Sequence, residues 1–319
     1  MPELPEVETV VRELHKKLVS RTIKSVNVRA SKLIGIGPAG LGNKRSPFVK
    51  TTGDKQETID KGRIFERLLK GKRVLSVRRR AKLLIFSLSG NYILLVHLKM
   101  TGQFIFEDKV LKKKTGSKYR ILNKLTAPLV QLPGKHTHVI FKFQDGATLY
   151  YNDVRKFSYL KLIKAAELSQ VAEINEYGPE PLSRGFTLAI FLEVSKKASK
   201  KVTIKQFLMD NSVVVGIGNI YSDEILFQAG VRPERLVLGI TNQELRKIYS
   251  QIGPVLKKGI KAKGSSVGDF IRTDGTWGAM GKYHFVYGRR KLPCKVCGSI
   301  IESIKLGGRT GSYCPHCQK

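Results

Sequence analysis

The chain has 319 residues, 41% of them hydrophobic, which excludes wholesale disorder and leaves room for two domains of the usual ~100–200 residues each. Fifty-eight Lys and Arg against 25 Asp and Glu give a formal charge of +33. A pI of about 10.1 on a folded chain points to a polyanionic partner, nucleic acid first, the alternative being a solvated basic surface without such a partner. No apolar run approaches the roughly 18 residues of a membrane helix, and the start MPELPEVET lacks the basic and apolar regions of a secretory signal, so a soluble, intracellular protein is expected.

Val7, Val10, Val11, Leu14 and Leu18 recur at helical spacing, with Pro5, Glu6 and Glu8 in the opening turn. This predicts an amphipathic helix whose N-terminal dipole end favours the two acids. From Thr22 to about Ile163 the pattern turns to strands: RVLSVRRRAKLLIFSL, YILLVHL, and HVIFKF joined by the turn Asp145-Gly146 to ATLYY. A β-sandwich or barrel is the natural reading. Two stretches inside this half read as insertions and as loops. One is GIGPAGLGNKRSPFVKTTGDKQET near 35–58, and the other is the densely basic EDKVLKKKTGSKYR near 107–120. Beyond Glu167 the signal is helical, and Thr241 with Glu244 predicts a capping box opening a long helix. The boundary is expected near residues 163–185.

All four cysteines fall in the last 26 residues. Cys294 and Cys297, then Cys314 and Cys317, form two Cys-x2-Cys pairs that can each clasp one edge of a tetrahedron. The spacing predicts one Zn2+ held by four thiolates. With no open position for water, the ion would be structural, and His316 between the second pair is a bystander. The intervening segment would form a hairpin presenting Arg309.

GIGNIY at 216–221 begins like a dinucleotide fingerprint, but Tyr221 stands at the third Gly position and no strand plainly precedes it. That reading is rejected. Asn219 opens a helix, where free backbone N–H groups would attract a phosphate, or it caps the helix. Arg78, Arg79, Arg80 and Lys82 form a basic group, and Arg155-Lys156-Phe157 sets an aromatic among cations, as a wedge entering a base stack requires. Pro2 would become a terminal secondary amine after removal of Met1. With a pKa near ~8 it would be partly unprotonated at neutral pH, able to attack a sugar carbon and form an iminium, with Glu3 beside it to exchange protons.

The segments MPELPEVET, RRRAKLLIF, HLKMTGQF, DVRKF, GPEPL, LMDNSVVVGIGNIYSDEILF and GGRTGSYCPHCQK, in this order, resemble the formamidopyrimidine-DNA glycosylase family from end to end. Only the two insertions fall outside the resemblance. It implies an α+β chain: an N-terminal β-sandwich with flanking helices (1–163), a helix-two-turn-helix domain (164–285) and a zinc ribbon (286–319), with DNA bound between them. It implies that Pro2 attacks C1′ of a damaged purine nucleotide with Glu3 as general acid and base, and that β- then δ-elimination cuts the strand. Lys82 and Arg309 match the residues that assist the two eliminations and grip phosphate. Asn219 and Lys205 match further phosphate contacts, and His97, His136 and Lys200 match DNA-facing positions. Met100, Arg155 and Phe157 match the trio that fills the void left by an extruded nucleotide.

The expected partner is double-stranded DNA carrying oxidised purines or abasic sites, met by a monomer in the bacterial cytoplasm. DVRKF departs from the family's DPRRF, and GSSVGDFIRTDGTWGAMG, aligned with the loop that closes over the flipped base, departs at Trp277 and Ala279. Two other readings predict different behaviour. An endonuclease VIII-type enzyme of the same fold would prefer oxidised pyrimidines, and a non-catalytic DNA-binding protein would bind without chemistry.

Overall fold

The computed structural model describes residues 1–38, 60–120, 129–267 and 270–319. Its contacts divide into two units. The first comprises Met1–Pro2, Val7–Asn175 and Gly268–Gly278, and the second Glu3–Glu6, Glu176–Val267 and Ala279–Lys319.

Helix α1 (Leu4–Leu18), which belongs to the first unit from Val7 on, precedes β1 (Ile23–Val28), β2 (Ile34–Ile36), α2 (Lys61–Leu69), β3 (Val74–Arg80), β4 (Leu83–Leu88), β5 (Tyr92–His97) and β6 (Gly102–Glu107). There follow α3 (Lys109–Thr115), β7 (Lys118–Arg120), β8 (Leu129–Gln131), β9 (Thr137–Phe143), β10 (Thr148–Asp153), β11 (Tyr159–Lys164) and α4 (Ala172–Asn175). A four-stranded sheet of order β1-β9-β10-β6 and a five-stranded sheet of order β2-β11-β5-β4-β3 share one core. Phe104, Phe106, Val139, Phe141 and Tyr151 enter it from the first sheet, and Leu84, Phe86, Leu88, Val96 and Leu160 from the second. The α1 residues Val7, Val10, Val11, Leu14 and Leu18 are buried in the same core, each worth about 1.5–3 kcal/mol of burial. Alternate residues of the second sheet, Leu83, Ile85, Ile93 and Leu95, pack in a separate cluster with Val171. Burial of both faces explains why β4 and β5 read as unbroken apolar runs and not as alternating ones.

The second basic insertion is not a loop. Asp108 caps α3 by accepting from Leu111 N–H at 2.8 Å, and Gly116 closes it in the left-handed conformation at φ 58°. Lys112, Lys113 and Lys114 occupy the last turn, where the helix dipole favours cations. Strands β7 and β8 pair as an antiparallel hairpin, and Tyr119 and Leu132 are buried with Ile105, Ile140 and Tyr150. The first insertion begins as strand too, since Gly35 and Ile36 belong to β2 and pair in parallel with β11. Its remainder, 39–58, lies outside the described residues.

In the second unit, α5 (Leu188–Lys196), α6 (Ile204–Met209), α7 (Asn219–Ala229) and α8 (Asn242–Lys261) precede a hairpin of β12 (Glu302–Leu306) and β13 (Arg309–Tyr313). Thr241 and Glu244 form the expected capping box on α8, and Thr203 with Gln206 forms another on α6. Helix α7 is buried from Ile220 to Phe227, so it has no solvent face and forms the centre of the helical core. Phe227 at its end packs with Val286, Ile301, Cys294 and Cys314. Among the described residues no helix is long and apolar enough to cross a membrane.

Candidate active site

In the second unit the start of α7 takes up a carboxylate. Glu3, 2% exposed, accepts from the backbone N–H of Gly218 at 2.8 Å, Ile220 at 2.8 Å and Tyr221 at 3.2 Å. These are the donors a helix N-terminus leaves unpaired, at its positive dipole end. The close approach also accounts for the glycine: a Cβ on Gly218 would lie 2.4 Å from Glu3 Cδ. The amides expected to bind a phosphate are therefore taken by the protein's own acid. Asn219 does not cap the helix; Gly218 is the N-cap, and Asn219 follows it half-buried.

Beside Glu3 lies a second buried acid. Glu6 accepts from Glu3 N–H at 2.9 Å, the Tyr221 hydroxyl at 2.7 Å and Ser265 N–H at 2.7 Å. The Glu3 nitrogen belongs to the Pro2-Glu3 peptide, so Glu6 fixes the orientation of the bond carrying Pro2. Burial first, and then the Glu3 carboxylate, push the Glu6 pKa up to about 7. Pro2 itself is buried, with Met1 attached and 41% exposed.

Two more acids on α7 hold the C-terminal module. Asp223 pairs with Lys205 and accepts from Ser312 N–H of β13 at 3.0 Å. Glu224 accepts from the backbone N–H groups of Phe285, Val286 and Tyr287 at 2.8, 3.0 and 2.9 Å. Lys205 is the residue whose placement departs most from expectation. It is 1% exposed, and its ammonium donates to Asn219 O and Ser222 Oγ, each at 3.1 Å, as well as to Asp223. With its three donors spent on these partners, it braces α6 against α7. Arg309, the first residue of β13, is exposed after the Gly307-Gly308 turn, where both glycines have positive φ. It borders a cavity of about 220 Å3 with Gln206, Met209 and Gly307. Lys200 is exposed. The four cysteines bring their sulfurs within 4.8 Å of one another, and backbone N–H groups of Val296 and Cys317 point at Cys294 and Cys314 Sγ at 3.4 Å. His316 is exposed and outside this group.

In the first unit, Met100, Arg155 and Phe157 come together. Arg155 Nη1 lies 2.9 Å from Met100 Sδ, and its guanidinium sits 4.7 Å from the Phe157 ring, which is 56% exposed. Asp153 builds the platform beneath them. It accepts from Thr101 Oγ1, Arg155 N–H at 3.1 Å and Ser158 N–H at 3.0 Å, and its own carbonyl lies 2.8 Å from His138 Nε2. Burial opposes its ionisation, but hydrogen bonds from Ser158 and Thr101 outweigh it and hold the carboxyl below the usual range. Lys156 follows with φ 56°, a left-handed position that suits neither Lys nor Arg. His136 is half-buried, its pKa lowered by burial and by Lys135 and Lys156. Lys82 is 6% exposed, directly after Ala81 at φ 53° in the tight β3–β4 turn. His97 is 8% exposed, and burial, Lys99 and Lys82 press its pKa down to about 3, so it is a neutral ring and not a cation.

Residues 1–160 match the model of the formamidopyrimidine-DNA glycosylase N-terminal domain, 177–270 that of the formamidopyrimidine-DNA glycosylase H2TH domain, and 291–319 a zinc finger found in FPG and IleRS. A formamidopyrimidine-DNA glycosylase of Bacillus licheniformis is 37% identical over 319 residues, covering all of both chains. The fold is similar to that of Lactococcus lactis Fpg crystallised with DNA containing an abasic site, at TM-score 0.78, 31% identity and 99% coverage of each chain. It is also similar to a MutM protein in complex with DNA containing carbocyclic 8-oxo-G, at TM-score 0.77, 32% identity and full coverage of both. Together these matches place the chain among the DNA-repair glycosylases. The chain belongs to the formamidopyrimidine-DNA glycosylase family.

The placement of Lys205 has a direct check. Lys205→Met leaves Asp223 buried without its counter-charge, and should lower the unfolding free energy in urea by about 3–5 kcal/mol, whereas Arg309→Met, at an exposed position, should change it by less than about 0.5 kcal/mol. Glu6 has a pH signature. A carboxyl raised from 4.5 to about 7 binds its proton more tightly folded than unfolded, so its stabilising contribution is complete below pH 4.5 and is lost as pH rises through 7. The wild-type minus Glu6→Gln difference in unfolding free energy should therefore fall by about 3 kcal/mol between those limits, and a flat difference contradicts it.

Proposed function

We propose that the chain is a bifunctional DNA glycosylase and abasic-site lyase that excises oxidised purines, 8-oxoguanine and formamidopyrimidines, with the imino nitrogen of Pro2 as nucleophile once Met1 is removed. The observation that carries this reading is the packing of Glu3: a carboxylate fixed by three backbone amides in the residue bonded to the terminal proline. The nitrogen forms a bond to C1′ as the bond from C1′ to the base breaks, the electron pair leaving with the base. Ring opening then yields an iminium, a Schiff base of the secondary amine. Glu3, held at a set distance along the chain from that nitrogen, serves as the acid and base on the sugar. Elimination on the 3′ and then the 5′ side leaves a one-nucleotide gap, with Lys82 and Arg309 assisting in turn.

The charge of +33 supplies the sequence-independent attraction to double-stranded DNA. Arg155, Met100 and Phe157 fill the space of the extruded nucleotide, since a stacked duplex hides the sugar carbon. The loop at 264–281 meets the extruded base, and His136, Asn219 and Lys200 contact DNA. The relatives crystallised with abasic-site DNA and with carbocyclic 8-oxo-G DNA support this substrate class. We read 1–163 as the catalytic part, 164–285 as the DNA-gripping part and 286–319 as the ribbon, acting as a monomer in the bacterial cytoplasm. The thiol set fits one Zn2+ held by Cys294, Cys297, Cys314 and Cys317, which would keep the Arg309 hairpin rigid and take no part in the chemistry.

Borohydride added during reaction with an 8-oxoguanine:C duplex should trap a covalent adduct on Pro2, found by mass spectrometry of the joined peptide. No adduct at a processed Pro2 terminus would sink the mechanism, and preferred excision of thymine glycol would move the enzyme to the pyrimidine-specific class. Freshly purified protein should carry about one zinc per chain, and its removal by a chelator should weaken lesion-DNA binding to the level of Arg309→Ala.

A further inference from the structure

The inserted helix–hairpin and the 270–278 loop meet at one strand end. Phe106 N–H of β6 donates to Thr273 O at 2.8 Å, and the carboxylate of the next residue, Glu107, accepts the Tyr119 hydroxyl of β7 at 3.1 Å. The root of the loop is fixed several times over. Thr273 N–H and Oγ1 donate to Glu13 Oε2 at 3.1 and 2.7 Å, Lys17 donates to Thr273 Oγ1 at 2.9 Å, and Arg272 Nε donates to Glu13 Oε1 at 2.7 Å. Beyond the root the backbone turns through Gly275 at φ 81° and leads to Trp277, 38% exposed. Against that turn lies the ring of Tyr119: a Cβ on Gly275 would sit 2.9 Å from Tyr119 Cδ1. Tyr119 is 1% exposed and is set by its own cluster with Ile105, Leu132 and Tyr150, so the ring is a rigid surface against which the turn rests.

We propose that the insertion, through residues 108–120 and 129–133, is a back-stop for the 270–278 loop, with Tyr119 as the positioning residue that sets how the turn at Gly275 presents Trp277 to an extruded purine. This rests on the reading of that loop as the one that meets the base. The insertion thereby acts on recognition of the lesion through the loop it supports. An indole has an area suited to stacking on a base. Its useful placement depends on the turn behind it, because misplacing a positioning group by about 1 Å costs as much as ~100-fold in rate.

Trp277 is the sole tryptophan of the chain, so its fluorescence reports on this loop alone. In Tyr119→Ala, acrylamide should quench Trp277 more steeply than in the wild type. Single-turnover excision of 8-oxoguanine should slow at least about tenfold, while incision of a pre-formed abasic site, which has no base to read, stays within about twofold. Tyr119→Phe keeps the ring and should restore both quenching and excision. Tyr119→Leu, which keeps the buried bulk without the ring, replaces the Ala variant if thermal unfolding shows that variant to be disordered. Unchanged quenching, or an equal loss of excision and abasic-site incision, overturns the proposal. A wild type that excises no purine lesion overturns the functional reading instead, and quenching then decides the back-stop by itself.

Discussion

The rest of the second unit depends on the insertion of one carboxylate into the start of one helix. Glu3 meets α7 where three amides lack intrahelical partners, and the fit is tight enough that residue 218 has no room for a side chain. Buried charge of this kind persists only where every lone pair and donor is matched. The matching continues outward: Glu6 takes the Glu3 amide and the Tyr221 hydroxyl, while Asp223 and Glu224 take donors from the ribbon and from the segment before it. Helix α7 is thus an organiser of acids, four of them arranged along or against its buried length. Its lack of a solvent face is what makes their mutual distances fixed.

The same logic distributes cations by exposure. Lys205 and Arg79 are paired inward, with Asp223 and with Glu8, and serve the fold. Arg155 and Arg309 are left outside on short turns held by glycine, by left-handed residues and by Asp153. A chain with a large excess of positive charge needs this sorting. Arg155 and Arg309, both exposed, have backbones set by something other than their own charge.

Much of this was legible in the sequence. The spacing of Val7, Val10, Val11, Leu14 and Leu18 gave α1 and its buried side, the capping box at Thr241 gave the start of α8, and the cysteine spacing gave the four-sulfur cluster, because each is a local pattern with a fixed period. Apart from the Glu3 amide that Glu6 accepts from, the partners of Glu3 and Glu6 lie more than two hundred residues downstream, and no local pattern announces such a pairing. Lys205, which the resemblance assigned to a phosphate, is buried against an acid eighteen residues on, a pairing that no local pattern announces either. The insertion was misjudged because its lysines masked its caps. Asp108 before the run and Gly116 after it are ordinary helix boundaries, and Tyr119 is an ordinary buried aromatic. Asp153 in DVRKF could have been suspected from the Ser158 that follows, but its bond to Thr101 could not.

The separation between Glu3 and its donors also sets an order of events during synthesis. Until the ribosome has delivered Gly218, Ile220 and Tyr221, 215 to 218 positions later, Glu3 has none of these three donors. A chain stopped short of the centre of the second unit therefore carries a Glu3 carboxylate with none of these donors to hold it.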